Sequence, residues 1–436
     1  MKGMMKALPG MGVMVLVAAS FAACDTAKIL EVIDPDLVTP DNVQGEKGAT
    51  LFWAGALGEF SVAYSGNGTG QVMYVAMFTD EMQLSGTFPT RNEVDRREID
   101  RRNGTMEGVY RDLHQARVAL ENATVVLEEF VPGDSRIGEM QNLAGFTYVF
   151  FGENYCEGVP YGETPAQGDL VDGTPTTKTE TFTRAIARFT SAKAAAGGSS
   201  DQEYLARVGT ARAMLDMGNG SGAAGEVGPV PTDWKYEIFH KGGGANRQRN
   251  AVYELVQSQR RWSVSDMEGG VGEPWRTTTD TRVPWEDNGG IGFDNDTPLF
   301  EQVKYPSWDA EAPLATGVDA RLIEAEAALA GGDATEWLSI HNTLRATEGL
   351  ADLTDPGNDR DRWLAHYSEH GRWTYAQGQR LGMARRMMLY YGFSEDEVLP
   401  NGTYFKGGAY GNDVNWPIPF VETENPNFNE CTNRAP

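Results

Sequence analysis

Apolar residues recur at helical spacing in eight segments of this chain, and the segments come in pairs. Leu113, Ala116, Leu120, Ala123 and Leu127 make one stripe; Ile137, Met140, Ala144 and Phe151 begin the next, after Val131-Pro132-Gly133-Asp134 as stop, turn and cap. Phe182, Ile186 and Phe189 are followed by Tyr204, Val208, Ala211 and Leu215, with Gly197-Gly198-Ser199-Ser200-Asp201 between. Leu322, Ala325 and Leu329 precede Gly331-Gly332-Asp333, then Trp337, Ile340 and Leu344. A fourth pair runs through Trp363 and Tyr367, then Leu381, Ala384, Met388 and Tyr391. A hairpin with one apolar stripe has to bury it against its neighbour, so the pairs are expected to stack.

The pattern predicts a mostly α-helical protein of degenerate tetratricopeptide-like hairpins, since helix pairs repeat while the strict repeat signature is absent. Between residues 218 and 313 the composition shifts to Gly, Pro, Trp, Asn and Asp with few helical stripes. So long an irregular stretch is more than a connector. It is read as a loop-rich lobe resting on a helical scaffold of about 40–217 and 314–392, with a tail at 393–436, all in one domain spanning 24–436. Surface loops carried by a rigid scaffold are the usual place for binding residues.

The first residues predict export. Lys2 and Lys6 precede an apolar run from Met11 to Ala23, too short to span a bilayer, which ends in Phe21-Ala22-Ala23-Cys24. That ending is similar to a bacterial lipobox, although Phe21 departs from the usual aliphatic residue. Cleavage of residues 1–23 and lipidation of Cys24 are therefore expected, against the plainer alternative of an ordinary signal peptide. Several acyl chains at about 0.8 kcal/mol per buried methylene would hold the protein firmly to a membrane. Cys156 and Cys431 are the other two cysteines of three, and an even pair in an exported chain predicts a disulfide more readily than a metal site.

The formal charge of −25 argues against nucleic acid as a partner. No cofactor motif is found. His366-Tyr367-Ser368-Glu369-His370 has the HxxEH spacing of a zinc-protease helix. It lacks a third ligand on a helix, so it is read as solvated helix surface and no metal is expected. Carboxylate pairs carry no weight among 62 acidic residues. Trp262, Trp275, Trp285, Tyr305 and Trp308 cluster in polar, Gly-rich chain, and the first four are taken as ligand-binding candidates because aromatic faces grip sugar rings and peptides. A second candidate patch follows the apolar run Val72–Phe78 and contains Asp80, Phe88, Arg91 and Asn92.

Three segments carry a resemblance to a known family. Trp416-Pro417-Ile418-Pro419 with Glu422, Asn425-Pro426-Asn427 and Phe428 resembles the C-terminal signature of SusD/RagB nutrient-uptake lipoproteins. Arg321-Leu322-Ile323-Glu324-Ala325-Glu326-Ala327, ending at Gly332-Asp333, resembles a helix and turn of that family. Glu369 to Arg386, with Gly378, Arg380 and Arg385, resembles a further helix, except that Gln377 and Met383 replace its usual acids. Weaker matches lie at Asp36 to Asn42, Gly158-Val159-Pro160-Tyr161 and Asp280-Thr281-Arg282-Val283. The resemblance implies a cell-surface protein of the outer membrane that binds oligosaccharide or peptide without changing it. It implies as partner a TonB-dependent outer-membrane transporter, over which the protein sits as a lid. It transfers no ligand-binding residue. The competing classes are a secreted helical glycoside hydrolase and a solute-binding lipoprotein of an ABC importer, which would show the βαβ alternation not seen here.

Overall fold

A computed structural model describes residues 45–163, 171–243, 246–270 and 272–436. The expected signal peptide (1–23), the lipidation site Cys24 and the segment Asp36 to Asn42 lie outside the described residues. The chain is mostly helical, with short two-stranded sheets, one of which adds Met82–Leu84 to the lobe by pairing it with Trp262–Val264. Among the described residues no helix is long and apolar enough to cross a membrane.

The long helix α1 (Gly45–Ser65) and the wholly buried α2 (Gln71–Phe78) lead into β1 (Met82–Leu84) and α3 (Pro89–Asp95). The first hairpin is α4 (Gly104–Phe130) with α5 (Ser135–Asn154), and the second is α6 (Lys178–Ala194) with α7 (Ser200–Asp216). After α8 (Gly220–Val227) come β2 (Lys235–Ile238), β3 (Trp262–Val264), β4 (Trp285–Ile291), β5 (Pro298–Gln302) and β6 (Ala312–Thr316). The third hairpin is α9 (Gly317–Ala330) with α10 (Ala334–Thr347), and the fourth is α11 (Asp359–Trp373) with α12 (Arg380–Tyr390). These are the four pairs expected from the stripes. Their caps are the turn residues of the sequence: the Asp134, Ser199 and Asp333 side chains each accept from the first-turn amides of α5, α7 and α10. One boundary differs. Residues 220–227 extend the helical scaffold, because Ala223 and Val227 give this Gly-rich stretch a buried face between α7 and α9.

Close helix approach in the second hairpin depends on glycine. A Cβ on Gly145 of α5 would lie 2.6 Å from the Phe189 ring, and one on Gly209 of α7 would lie 2.3 Å from it. Phe189 of α6 thus fills a slot that only hydrogens can line on both sides, and Gly152 makes the same allowance for Phe182. Such tight filling leaves no slack for another methyl group.

The hairpins are joined through buried arginines of α12. Arg386 makes a bidentate pair with Glu326 of α9, at 2.7 and 2.9 Å, and reaches Asp216 of α7 at 2.9 Å. Burial would raise the Glu326 carboxyl, but Arg386 and His366 hold it well below the carboxylate range. Arg385 donates to the carbonyls of Gly152, Glu153 and Tyr155, the unbonded C-terminal end of α5. Arg380 lies 3.5 Å from Asp80 and donates to the Thr79 carbonyl. The C-terminal tail closes the same end of α5: the Trp416 amide donates to the Asn154 carbonyl, and its ring packs edge-on against Tyr155 at 5.3 Å. Beside it Cys156 and Cys431 are bonded, with Cα atoms 5.9 Å apart.

The HxxEH string is a correction to the surface reading. His366, Glu369 and His370 are all buried. His366 faces His341 at 2.9 Å, while Glu369 accepts from Arg282 and Arg345, the latter at 2.5 Å. Burial, and then neighbouring positive charge, pushes the His341 and His370 rings well below the usual imidazole range. The stripe on α11 faces the core more broadly than its polar composition suggested, because arginines from α10 and the lobe enter to meet its acid.

Gly209→Ala should destabilise the protein by about 1–3 kcal/mol through overpacking against Phe189, read as a lower midpoint in chemical denaturation with an unchanged slope.

Candidate functional site

The two candidate patches separate in the structure. Trp262, Trp275 and Tyr305 are at most 2% exposed. Trp262 sits edge-on against Tyr74 of α2, Trp275 packs on Tyr375 and beneath Arg380, and the Tyr305 hydroxyl donates to the Ala376 carbonyl. These rings peg the lobe to the scaffold and cannot touch a ligand from solution. They are buried together with Val252, Leu255, Val256, Val264, Val283 and Leu299. Asp80 is a further correction. It is buried with φ +62°, accepts from the Glu273 amide, and faces Arg380. Trp285 is half-buried at the start of β4, edge-on to Phe300, at the far end of that strand from the surface described next. Trp308 keeps an exposed edge under Arg249.

Phe88, Arg91 and Asn92 do come together, on the exposed face of the lobe. The loop Ser85–Phe88 is held by main-chain bonds: the Ser85 amide donates to the Arg261 carbonyl, and the Asp294 amide donates to the Ser85 carbonyl. The turn after β4 comes so close that a Cβ on Gly292 would lie 2.4 Å from Ser85. This contact delivers Phe293, which the sequence reading missed, beside Phe88. Both rings are exposed, at 43% and 46%. The Arg261 guanidinium lies between them, 3.7 Å from the Phe293 centroid and 4.6 Å from that of Phe88, and Arg91 lies 4.9 Å from Phe88. Below opens a groove of about 300 Å³ lined by Leu84, Gly86, Phe88, Asn92, Glu93 and Arg96.

The groove stands on a buried acid. Asp95 accepts from the Leu84 amide at 3.0 Å and from the Tyr404 hydroxyl at 2.7 Å, and Tyr404 in turn accepts from the Asn92 amide at 3.0 Å. Glu268, close behind, accepts from Tyr410 and Ser265. Burial pushes the Asp95 carboxyl up to about 7, against the pull of Tyr404 and Leu84. Burial and the Asp95 charge push Glu268 up to about 8.

A second cleft, of about 640 Å³, lies between α1 and β2. Glu139 joins its walls by accepting from the Trp53 indole at 2.6 Å and the Tyr236 hydroxyl at 2.7 Å. Neither cleft offers a metal site, since no cluster of three or more ligating side chains occurs among the described residues.

Neither a known protein family nor a curated protein matches the chain by sequence. Solved structures do match by shape. A SusD superfamily protein from Parabacteroides distasonis superposes with a TM-score of 0.65 at 13% identity, over 89% of this chain and 99% of that one. A SusD-like carbohydrate-binding protein from Bacteroides vulgatus gives 0.57 at 13% identity, over 79% and 84%. A laminarin-binding SusD-like protein gives 0.58 at 13% identity, over 89% and 99%. The fold is therefore that of the family whose motifs the sequence resembles.

The acids under the groove make stability depend on pH. Their folded values are raised above ordinary carboxyl values, so their contribution is present below about pH 4 and is lost as pH rises through 7 to 8. Melting temperature should fall between about pH 4 and pH 8, and Glu268→Gln, which cannot ionise, should flatten that fall in a calorimetric scan.

Proposed function

We propose that this SusD-like chain is a non-catalytic binding protein that captures oligosaccharides on the exposed face of its lobe. The observation that carries the reading is the pair of exposed rings, Phe88 and Phe293, bracketing Arg261 above the groove. Exposed aromatic area is costly to leave in water and is well matched to the apolar faces of sugar rings, while Asn92 and the guanidiniums can take hydroxyls. Two of the solved proteins with this fold are described as binding carbohydrate, one of them laminarin, which supports a glycan over a peptide. An open groove also suits capture and release better than catalysis, which favours enclosure.

On the same reading the chain is exported, anchored to the outer membrane through lipid on Cys24, and passes its ligand to a TonB-dependent transporter. The apolar run to Ala23 and the cysteine after it support the anchor.

Calorimetry against laminari-oligosaccharides, other neutral and acidic glycans and a peptide panel should find a glycan ligand that is recovered intact by chromatography. Phe88→Ala or Phe293→Ala should cost about 1–3 kcal/mol of affinity, while Trp53→Ala in the other cleft should leave it unchanged. Binding of peptides alone, or turnover of the glycan, would reject the reading. Cys24→Ser should move the protein from the membrane to the soluble fraction with its melting temperature unchanged; retention on the membrane would reject the anchor.

A further inference from the structure

The charge around Phe88 runs against the charge of the rest of the protein. The chain as a whole carries a formal charge of −25, and most of its buried arginines are met by carboxylates. On the lobe face, Arg91, Arg260 and Arg261 form no ion pair with any described residue. Of the acids nearby, Asp296 is exposed and outside any ion pair, and the others are engaged. Asp294 is bonded to Lys406, Glu98 pairs with Arg96 at 2.6 Å, and Glu93 accepts from the Asn103 amide at 2.7 Å. Arg91 Nε and Nη1 and Arg261 Nη1 are buried and have no hydrogen-bond partner. The two guanidiniums also disfavour each other: burial, and then the nearby Arg91 charge, lowers the Arg261 pKa.

Stacking on Phe88 and Phe293 explains how these side chains are oriented, but a ring face does not neutralise a cation. A guanidinium held flat against a ring presents its N–H groups edgewise, the geometry that takes an oxyanion in its plane. In a chain with 62 acidic residues against 37 basic ones, a surface where three arginines outside any ion pair outnumber such acids, Glu93 and Asp296, is the arrangement that an anionic partner completes.

We infer that the lobe groove selects oligosaccharides bearing anionic groups, carboxylate or sulfate, on their rings. The ring faces meet Phe88 and Phe293, and the anionic substituents meet Arg261 and Arg91. This rests on the reading of the lobe face as a glycan site and narrows it to a chemical class. A neutral glucan leaves the arginines unneutralised, and a polyanion without sugar rings leaves the aromatic faces bare.

The test uses mature full-length protein and probes that differ in charge alone. Oligogalacturonate is compared with its methyl ester, a sulfated galactan oligosaccharide with its desulfated form, and both with laminari-oligosaccharides and an oligoglutamate peptide. At least one anionic glycan should bind, and its neutralised counterpart should bind about tenfold more weakly or worse. Which of the two pairs responds distinguishes carboxylate from sulfate. Arg261→Gln and Arg91→Gln should each weaken the anionic probe about tenfold and the neutral probe by much less, and Arg261→Lys should recover part of the loss. Melting temperatures keep misfolding apart from lost recognition. Preference for neutral laminari-oligosaccharides, lost in Phe88→Ala but indifferent to Arg261→Gln, overturns the anionic selection and leaves the glycan reading standing. Binding of oligoglutamate alone, or of no glycan, overturns both.

Discussion

Buried guanidinium groups on one short helix bind the molecule together. Arg386 joins α12 to α9 and α7, Arg385 closes the carbonyl end of α5, and Arg380 reaches across to Thr79 and Asp80 where the lobe begins. All three are at most 4% exposed. Moving such groups out of water is expensive, and the cost is offset only because each finds carboxylate or carbonyl partners in several directions at once. Removing one partner would leave a buried charge uncompensated, so these contacts act as a set. They also specify position. Apolar stripes allow hairpins to slide, whereas a bidentate pair such as Arg386 with Glu326 is satisfied at one register.

The lobe depends on that scaffold in two ways. Its tryptophans enter the scaffold as pegs: Trp275 lies beneath Arg380, and Trp262 lies against Tyr74. Its first strand is then held from beneath by Asp95, which ties Leu84 to Tyr404 and through it Asn92. With the floor so fixed, the turns carrying Phe88 and Phe293 can remain exposed without collapsing onto each other, and Arg261 occupies the space between. The exposed face is thus a consequence of how completely the remainder of the lobe is buried.

Much of the scaffold was legible because its signals are local. Asp134, Ser199 and Asp333 cap the helices that their positions before apolar stripes suggested, and the stripes of α4 and α5 face the core residue for residue. The lobe was less legible, and the error has a physical form. Trp262, Trp275 and Tyr305 stand in polar chain with few aliphatic neighbours, which suggested exposure; their partners Tyr74, Tyr375 and Ala376 lie at least 70 residues away in sequence. His366 and Glu369 failed the same way, since a polar helix face becomes core when Arg282 and Arg345 arrive from other elements. Phe293 was invisible beforehand, for only the approach of Gly292 to Ser85 brings it to Phe88.

The helix pairs, their turns and caps, and the motifs that resemble one family's could be read from the sequence, because each is written in residues a few positions apart. Whether a given aromatic or charged side chain is peg or surface was decided only by tertiary structure. That choice depends on which distant groups can desolvate a ring or neutralise a charge, and spacing along the chain carries no record of it. The arginines show both outcomes: Arg386 is matched by Glu326 and Asp216 across the core, whereas Arg91 and Arg261, with equally ordinary neighbours in sequence, meet no carboxylate among the described residues.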